Sequence, residues 1–170
     1  MSSEFENAFK HIQSDDSLQP TILYGFSPMS KQNFDRFQQV WPTLTTDRRE
    51  AIMLSLQEIA EQSFEVDFEP IFILGLDDKS HMVQVKAIEG LWESEAPVLI
   101  PPFIHLLKVG GTAEVRTAAA QGLGRFVYLG EIEEIAEEAY RITVQALLET
   151  IRSANEDIDV VRSDRIDCFC

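Results

Sequence analysis

The chain has 170 residues, 45% hydrophobic and 25% charged, which suits one folded domain with a sizeable core. Its 29 acidic against 14 basic residues leave a formal charge of −15. Such a chain repels phosphate backbones and anionic lipid, so nucleic acid and membrane are excluded as expected partners, and either a basic partner or simply solubility fits the charge better. No apolar run approaches the roughly 18 residues that a membrane span requires. Met1 to Asn7 lack the basic start and apolar run of a signal peptide. The expected location is the cytoplasm.

In chain order, residues 4–14 read as a short amphipathic helix with Phe5, Ala8, Phe9 and Ile12 on one face. Gln19-Pro20 and the run Tyr24 to Pro28 are breakers around the apolar pair Ile22 and Leu23. Ser30 reads as the N-cap of a helix carrying Phe34, Phe37, Val40 and Trp41, which Pro42 stops. Asp47 is expected to cap a long helix over 48–63, with Ile52, Leu56, Ile59 and Ala60 at 3–4 spacing.

Pro70 opens a helix through Leu76, Asp77 to Ser80 make a turn, and the partner helix is expected over 82–93. Pro101-Pro102 opens the next pair, Gly110-Gly111 turns the chain, and 114–128 form its partner. Residues 131–138 read as an acidic, solvated insertion or a regulatory, partner-contacting one. A helix over 137–152 follows, then a turn at Asn155-Glu156-Asp157. No strand alternation persists, so the expected fold class is all-α.

These pairs repeat. Val83 to Leu91 aligns with Val115 to Leu123 at an offset of 32, with Val, Ala, Gly and Leu at matching places. Ile52 and Leu56 fall 35 residues before Ala87 and Leu91, and Val161-Arg162 matches Val115-Arg116 at an offset of 46. Periods of this length mark solenoids, whose units must stack to bury their apolar faces. The expected organisation is a single repeat domain, 1–170. Residues 1–29 form an N-terminal cap segment, and 30–63, 68–94, 98–129 and 137–170 form helix pairs, the last incomplete.

A helix, a short turn with Asp, then V-R-x-x-A-x-x-x-L on a second helix resembles the HEAT-repeat family. The most similar branch is the group of HEAT-like repeats that includes phycobilisome lyases, over roughly residues 31–170. The resemblance implies an α-α superhelix and a ladder in which a turn Asp meets an Arg of a neighbouring repeat. The Arg position reads Arg49, Gln84, Arg116 and Arg162, and the Asp position Thr43, Asp78, Gly110 and Glu156. Asp78 is expected to accept from Arg116 or Arg49, and Gln84 breaks the pattern. In the last repeat Arg165 stands at the Ala119 place and Phe169 at the Leu123 place, so this end reads as a polar cap or a shortened repeat.

If 83, 87, 90, 91 and 94 form the buried stripe of the second helix, positions 86, 89, 92 and 93 face outward. Trp92 then stands exposed between Glu89 and Glu93. Register puts Glu58, Glu93 and Arg125 in one column, with Gln57 and Trp92 beside them and Gln121 on the same helix face as Arg125. Two readings stand. One is a partner-binding groove, an aromatic anchor ringed by acids. The other is that Trp92 packs on Ile59 or Phe126 above solvated glutamates. Carboxylates about 10 Å apart, the helix spacing, do not share a proton, so an acid/base pair is not expected.

His11, His81 and His105 lie in separate elements without metal-ligand spacing, and His105 amid Ile104, Leu106 and Leu107 reads as a core residue. Gly122-Leu123-Gly124 follows a helix and lacks a third glycine, so it reads as a packing feature. Cys168 and Cys170 form neither a disulfide framework nor a zinc site.

The sequence therefore predicts a non-enzymatic protein-interaction module or scaffold with an acidic concave surface for a protein or peptide, and no cofactor. The alternative, carried by the resemblance alone, is a bilin-lyase-like or chaperone-like subunit binding a tetrapyrrole or its acceptor protein. Exposed Ile166 and Phe169 would permit a homodimer through the C-terminal repeat.

Overall fold

The computed structural model describes the backbone of residues 3–166 and the side chains of 4–154. The described chain is all-helical, without a strand, and falls into two compact units, 1–94 and 95–170. No helix among the described residues is long and apolar enough to cross a membrane.

Among its described residues the first unit holds six α-helices: α1 (Ser3–Ile12), α2 (Pro20–Leu23), α3 (Lys31–Val40), α4 (Thr46–Gln62), α5 (Glu69–Gly75) and α6 (His81–Gly90). Short 3-10 turns follow α2 and α3. The amphipathic face of α1 buries Phe5, Ala8 and Ile12. Phe5, Phe26, Phe37 and Trp41 then form a chain of ring contacts with centroids 5.1–5.8 Å apart, which ties the N-terminal segment to α3. Arg36 reinforces this join. Its guanidinium lies over the Phe9 ring at 4.6 Å and donates two hydrogen bonds to Glu6. That hydrogen-bonded pairing, more than the charge alone, holds the Glu6 carboxyl below its ordinary range. Arg48 donates to the carbonyls of His11, Ile12 and Asp16, closing the C-terminal end of α1.

The second unit holds α7 (Ile100–Val109), α8 (Ala113–Glu131) and α9 (Glu137–Ile166). Pro101 and Pro102 sit in the first turn of α7, where no N–H is needed. The α7–α8 hairpin buries Phe103 against Phe126, ring edge to face at 6.3 Å, and α9 packs on both helices with Thr143 and Ala146 buried.

Three hairpin turns share one local device. Thr45, Ser80 and Thr112 cap α4, α6 and α8 by accepting from the N–H three residues on, at Arg48, Val83 and Val115. The residue four past each cap, Arg49, Gln84 or Arg116, donates back to the carbonyl of Leu44, Leu76 or Gly110 at the end of the preceding helical segment. Gln84 copies the donor of the arginines, but its Oε1 is buried without a hydrogen-bond partner.

Several expectations need correction. Thr45, not Asp47, caps α4; Asp47 lies in the first turn, where its charge complements the helix dipole. Helix α6 stops at Gly90 rather than 93. The turn expected at 155–157 is absent, because α9 is continuous through Ile166. Without glycine or proline there, the helix has no strong stop. His105 is exposed, because α7 turns Phe103, Leu106 and Leu107 to the core and leaves 105 on the other side. Of the two arginines offered to Asp78, Arg49 takes it, with its Nε 2.8 Å from Oδ2. The side chains expected to matter at Glu156, Val161, Arg162, Arg165 and Ile166, and the whole of Cys168, Phe169 and Cys170, lie outside the described residues.

Candidate functional site

The early end of α6 creates the site. A side chain at position 90 would collide with the Phe72 ring, so Gly90 lets that ring lie directly on the α6 backbone. Leu91 then closes the helix and is buried, while the chain turns through Trp92 and Glu93 to Ser94. Trp92 and Glu93 are therefore turn residues, not outward positions of a helix. Trp92 is 49% exposed, whereas Trp41 is 4% exposed.

Across from this turn runs the loop between α4 and α5. The Asp67 N–H donates to Ser27 Oγ at 2.7 Å, and Asp67 Oδ1 accepts from the Glu69 N–H at 3.1 Å. Ser94 Oγ donates to Glu69 Oε1 at 2.8 Å, which joins the turn to the loop. Between them lies an open cleft of about 220 Å³. Its apolar lining includes Val66, Phe68, Phe72 and Trp92, and its titratable groups are Asp67, Glu69 and Glu93. Phe68 and Phe72 stand edge to face at 6.3 Å. The same loop carries Phe64, which is 79% exposed.

An aromatic wall beside carboxylates can do one thing well. It can hold a cationic, partly apolar group, with the alkyl stem on the rings and the charge facing the acids.

Among the residues expected to bind a partner, the cleft brings together Trp92 and Glu93. Gln57 is buried in α4 and donates to Glu61, which removes it from any groove surface. It follows Leu56 and precedes Ile59 on the core side of its helix. Glu58 is exposed on α4 but does not line the cleft, and Glu89 pairs with Lys86 at 2.7 Å. In the second unit Gln121 is exposed on α8, and Arg125 bonds Glu95 at 3.1 Å. The column of Glu58, Glu93 and Arg125 requires helices of equal length. Residues 58 and 125 are helical, but position 93 lies past its helix end.

Sequence reasoning missed Asp67, Phe68, Glu69 and Ser94. The available signal was Asp67-Phe68-Glu69-Pro70, an aromatic between two acids just ahead of a helix-opening proline. Set beside known proteins, the chain matches no family model, no curated protein and no solved structure.

Proposed function

We propose that this chain is a non-enzymatic, HEAT-like helical-repeat module, a scaffold acting in the cytoplasm, that captures a basic segment of another protein in the Trp92 cleft. The shared turn device, recurring at Thr45, Ser80 and Thr112, supports the repeat reading. The observation that carries the binding reading is a half-exposed tryptophan in a cleft whose titratable groups are all carboxylates. An arginine or lysine stacked on the indole gains about 0.5–2 kcal/mol from the ring and meets Glu93 or Asp67 with its charge. The remaining acidic surface steers a basic partner toward the protein. A tetrapyrrole would instead need cations for its propionates, and the cleft offers acids.

The test uses the full chain and an arginine–glycine peptide, with the citrulline–glycine peptide as the neutral control. Titration is followed by tryptophan fluorescence and calorimetry. The arginine peptide should perturb the Trp92 emission while Trp41 remains a constant background, and the citrulline peptide should bind at least about tenfold more weakly, roughly 1.4 kcal/mol. Trp92→Ala combined with Glu93→Arg should abolish the calorimetric signal while the helical circular dichroism stays intact. Equal binding by that variant removes the cleft as the site.

A further inference from the structure

The described part of α9 has two faces. One carries Thr143 and Ala146 into the core of the second unit. On the other, Leu148 is 45% and Ile151 57% exposed, with Val144 half-buried one turn earlier. The ring of Tyr140 lies against Gly130, where any Cβ would collide with it, so this helix is fixed in its rotation and the Val144–Leu148–Ile151 stripe stays outward. Residues 137–154 extend about 27 Å, enough for two and a half heptads.

Charges flank this stripe in a particular order. Glu138, Gln145 and Arg152 are spaced by sevens, so Glu138 and Arg152 stand at equal distances on either side of Gln145 with opposite sign. Arg141 and Glu149 also stand at equal distances on either side of it, again opposite. Such a pattern complements itself when a second copy runs the other way. Between 138 and 152 the charges are Glu138, Arg141, Glu149 and Arg152, which sum to zero in a chain of net −15. A second acidic copy is therefore not repelled along this stretch.

We propose that the outer face of α9 pairs with the same face of a second copy, antiparallel, about a two-fold axis that passes between Gln145 and Ala146, the apolar pairs centring on one side of it and the charged flank pairs on the other. Leu148 then packs on Val144 of the second copy and Val144 on its Leu148, as facing core positions do in an antiparallel coiled coil. On the flank, Glu138, which also accepts from Arg141 of its own helix, meets Arg152 of the second copy, Arg152 meets its Glu138, and the two Gln145 side chains, each donating to its own Glu149, lie beside the axis. The interface is isologous, so each contact occurs twice. A parallel pairing aligns neither charge pair, which selects the antiparallel arrangement.

The test is sedimentation equilibrium of the full chain over a wide concentration range, with circular dichroism to verify each fold. Wild type should dimerise reversibly. Glu138→Arg places arginine against Arg152 at both flanks, and Arg152→Glu places glutamate against Glu138, so each variant alone should be monomeric. Mixed in equal amounts they should form a heterodimer. The introduced arginine then faces the introduced glutamate at one flank, and a native Glu138–Arg152 pair stands at the other. Leu148→Glu should be monomeric alone and in every mixture. A wild type that stays monomeric throughout, single variants that still dimerise, or a mixture no more associated than its components each overturns the proposal.

Discussion

At the scale of single residues, Asp78 gathers four hydrogen bonds in the first unit. Its carboxylate accepts from Trp41 Nε1 at 2.8 Å, from Arg49 Nε at 2.8 Å and Nη2 at 3.1 Å, and from the Ser80 N–H at 2.9 Å. The Asp78 and Arg49 side chains are 4% and 10% exposed. A buried ion pair adds little over a well-packed apolar pair, but losing one member strands the other's charge. Asp78→Ala should therefore lower the unfolding free energy by about 3–5 kcal/mol, read from the urea midpoint and slope. Trp41→Phe, which removes one bond to a charged acceptor and keeps a ring in the aromatic chain, should cost less, about 1.5–3 kcal/mol. A loss for Asp78→Ala within the half-kilocalorie typical of surface changes would mean that Arg49 finds water instead. The resemblance to HEAT-like repeats marked Asp78 as an acceptor and Arg49 as one of two donors. Trp41 was legible only as an apolar position. Its indole N–H finds a partner 37 residues away, and no local pattern encodes that distance.

At the scale of elements, the hairpins hold through their turns as much as their faces. Each cap hydroxyl satisfies an N–H at the start of the second helix, and the side chain four residues on satisfies a carbonyl at the end of the first. Both ends of the turn are thus closed from one short segment. Thr112→Ala should cost about 1 kcal/mol, and Thr112→Ser only a few tenths, since the oxygen that accepts from Val115 is kept. Thermal unfolding of the two variants in parallel separates cap loss from general disturbance, and equal losses would show that the methyl group, not the hydrogen bond, matters at this turn. Helix existence was legible nearly everywhere, because 3–4 apolar spacing is strong in α1, α3, α4 and α7. Helix ends were less so. Thr45 lay two residues from the acid expected to cap α4, and both residue types compete for that role. Asn155 and Asp157 read as a turn, yet each weakens a helix by well under 1 kcal/mol, too little to stop one. The reverse error at Gly90 decided the candidate site. A glycine read as part of the buried stripe of a longer helix ends α6 early, which turns Trp92 and Glu93 toward the loop at Asp67.

At the scale of the whole molecule, charge is the dominant feature. With 29 acidic and 14 basic residues, at least 15 carboxylates lack a cation of their own even if every Lys and Arg is paired. Most ion pairs among the described residues are at least a quarter exposed on both sides, so their individual worth is small. Self-repulsion should then outweigh pairing, and two consequences follow for stability. Added salt screens the excess over about 10 Å at 0.1 M, so the urea midpoint should rise from low to moderate ionic strength. Lowering the pH from neutral toward the pI near 4.5 removes the same repulsion and should also raise the midpoint at first. An opposing contribution comes from Glu6, Glu138 and Glu149, whose carboxyls are held below the ordinary range, Glu6 and Glu138 mainly by hydrogen bonds from Arg36 and Arg141, and Glu149 mainly by one from Gln145. A group depressed in the folded state stabilises fully above its ordinary range, and that contribution disappears as pH falls through the depressed value. Stability should therefore peak on the acid side of neutral and fall below it, with the rise flattened by salt because screening has already removed its cause. Urea titrations at several pH values, in low and moderate salt, measure this directly. A midpoint that falls on adding salt at neutral pH would mean that the paired cations, few as they are, outweigh the excess. The long-range steering assigned to the acidic surface would then lose its basis.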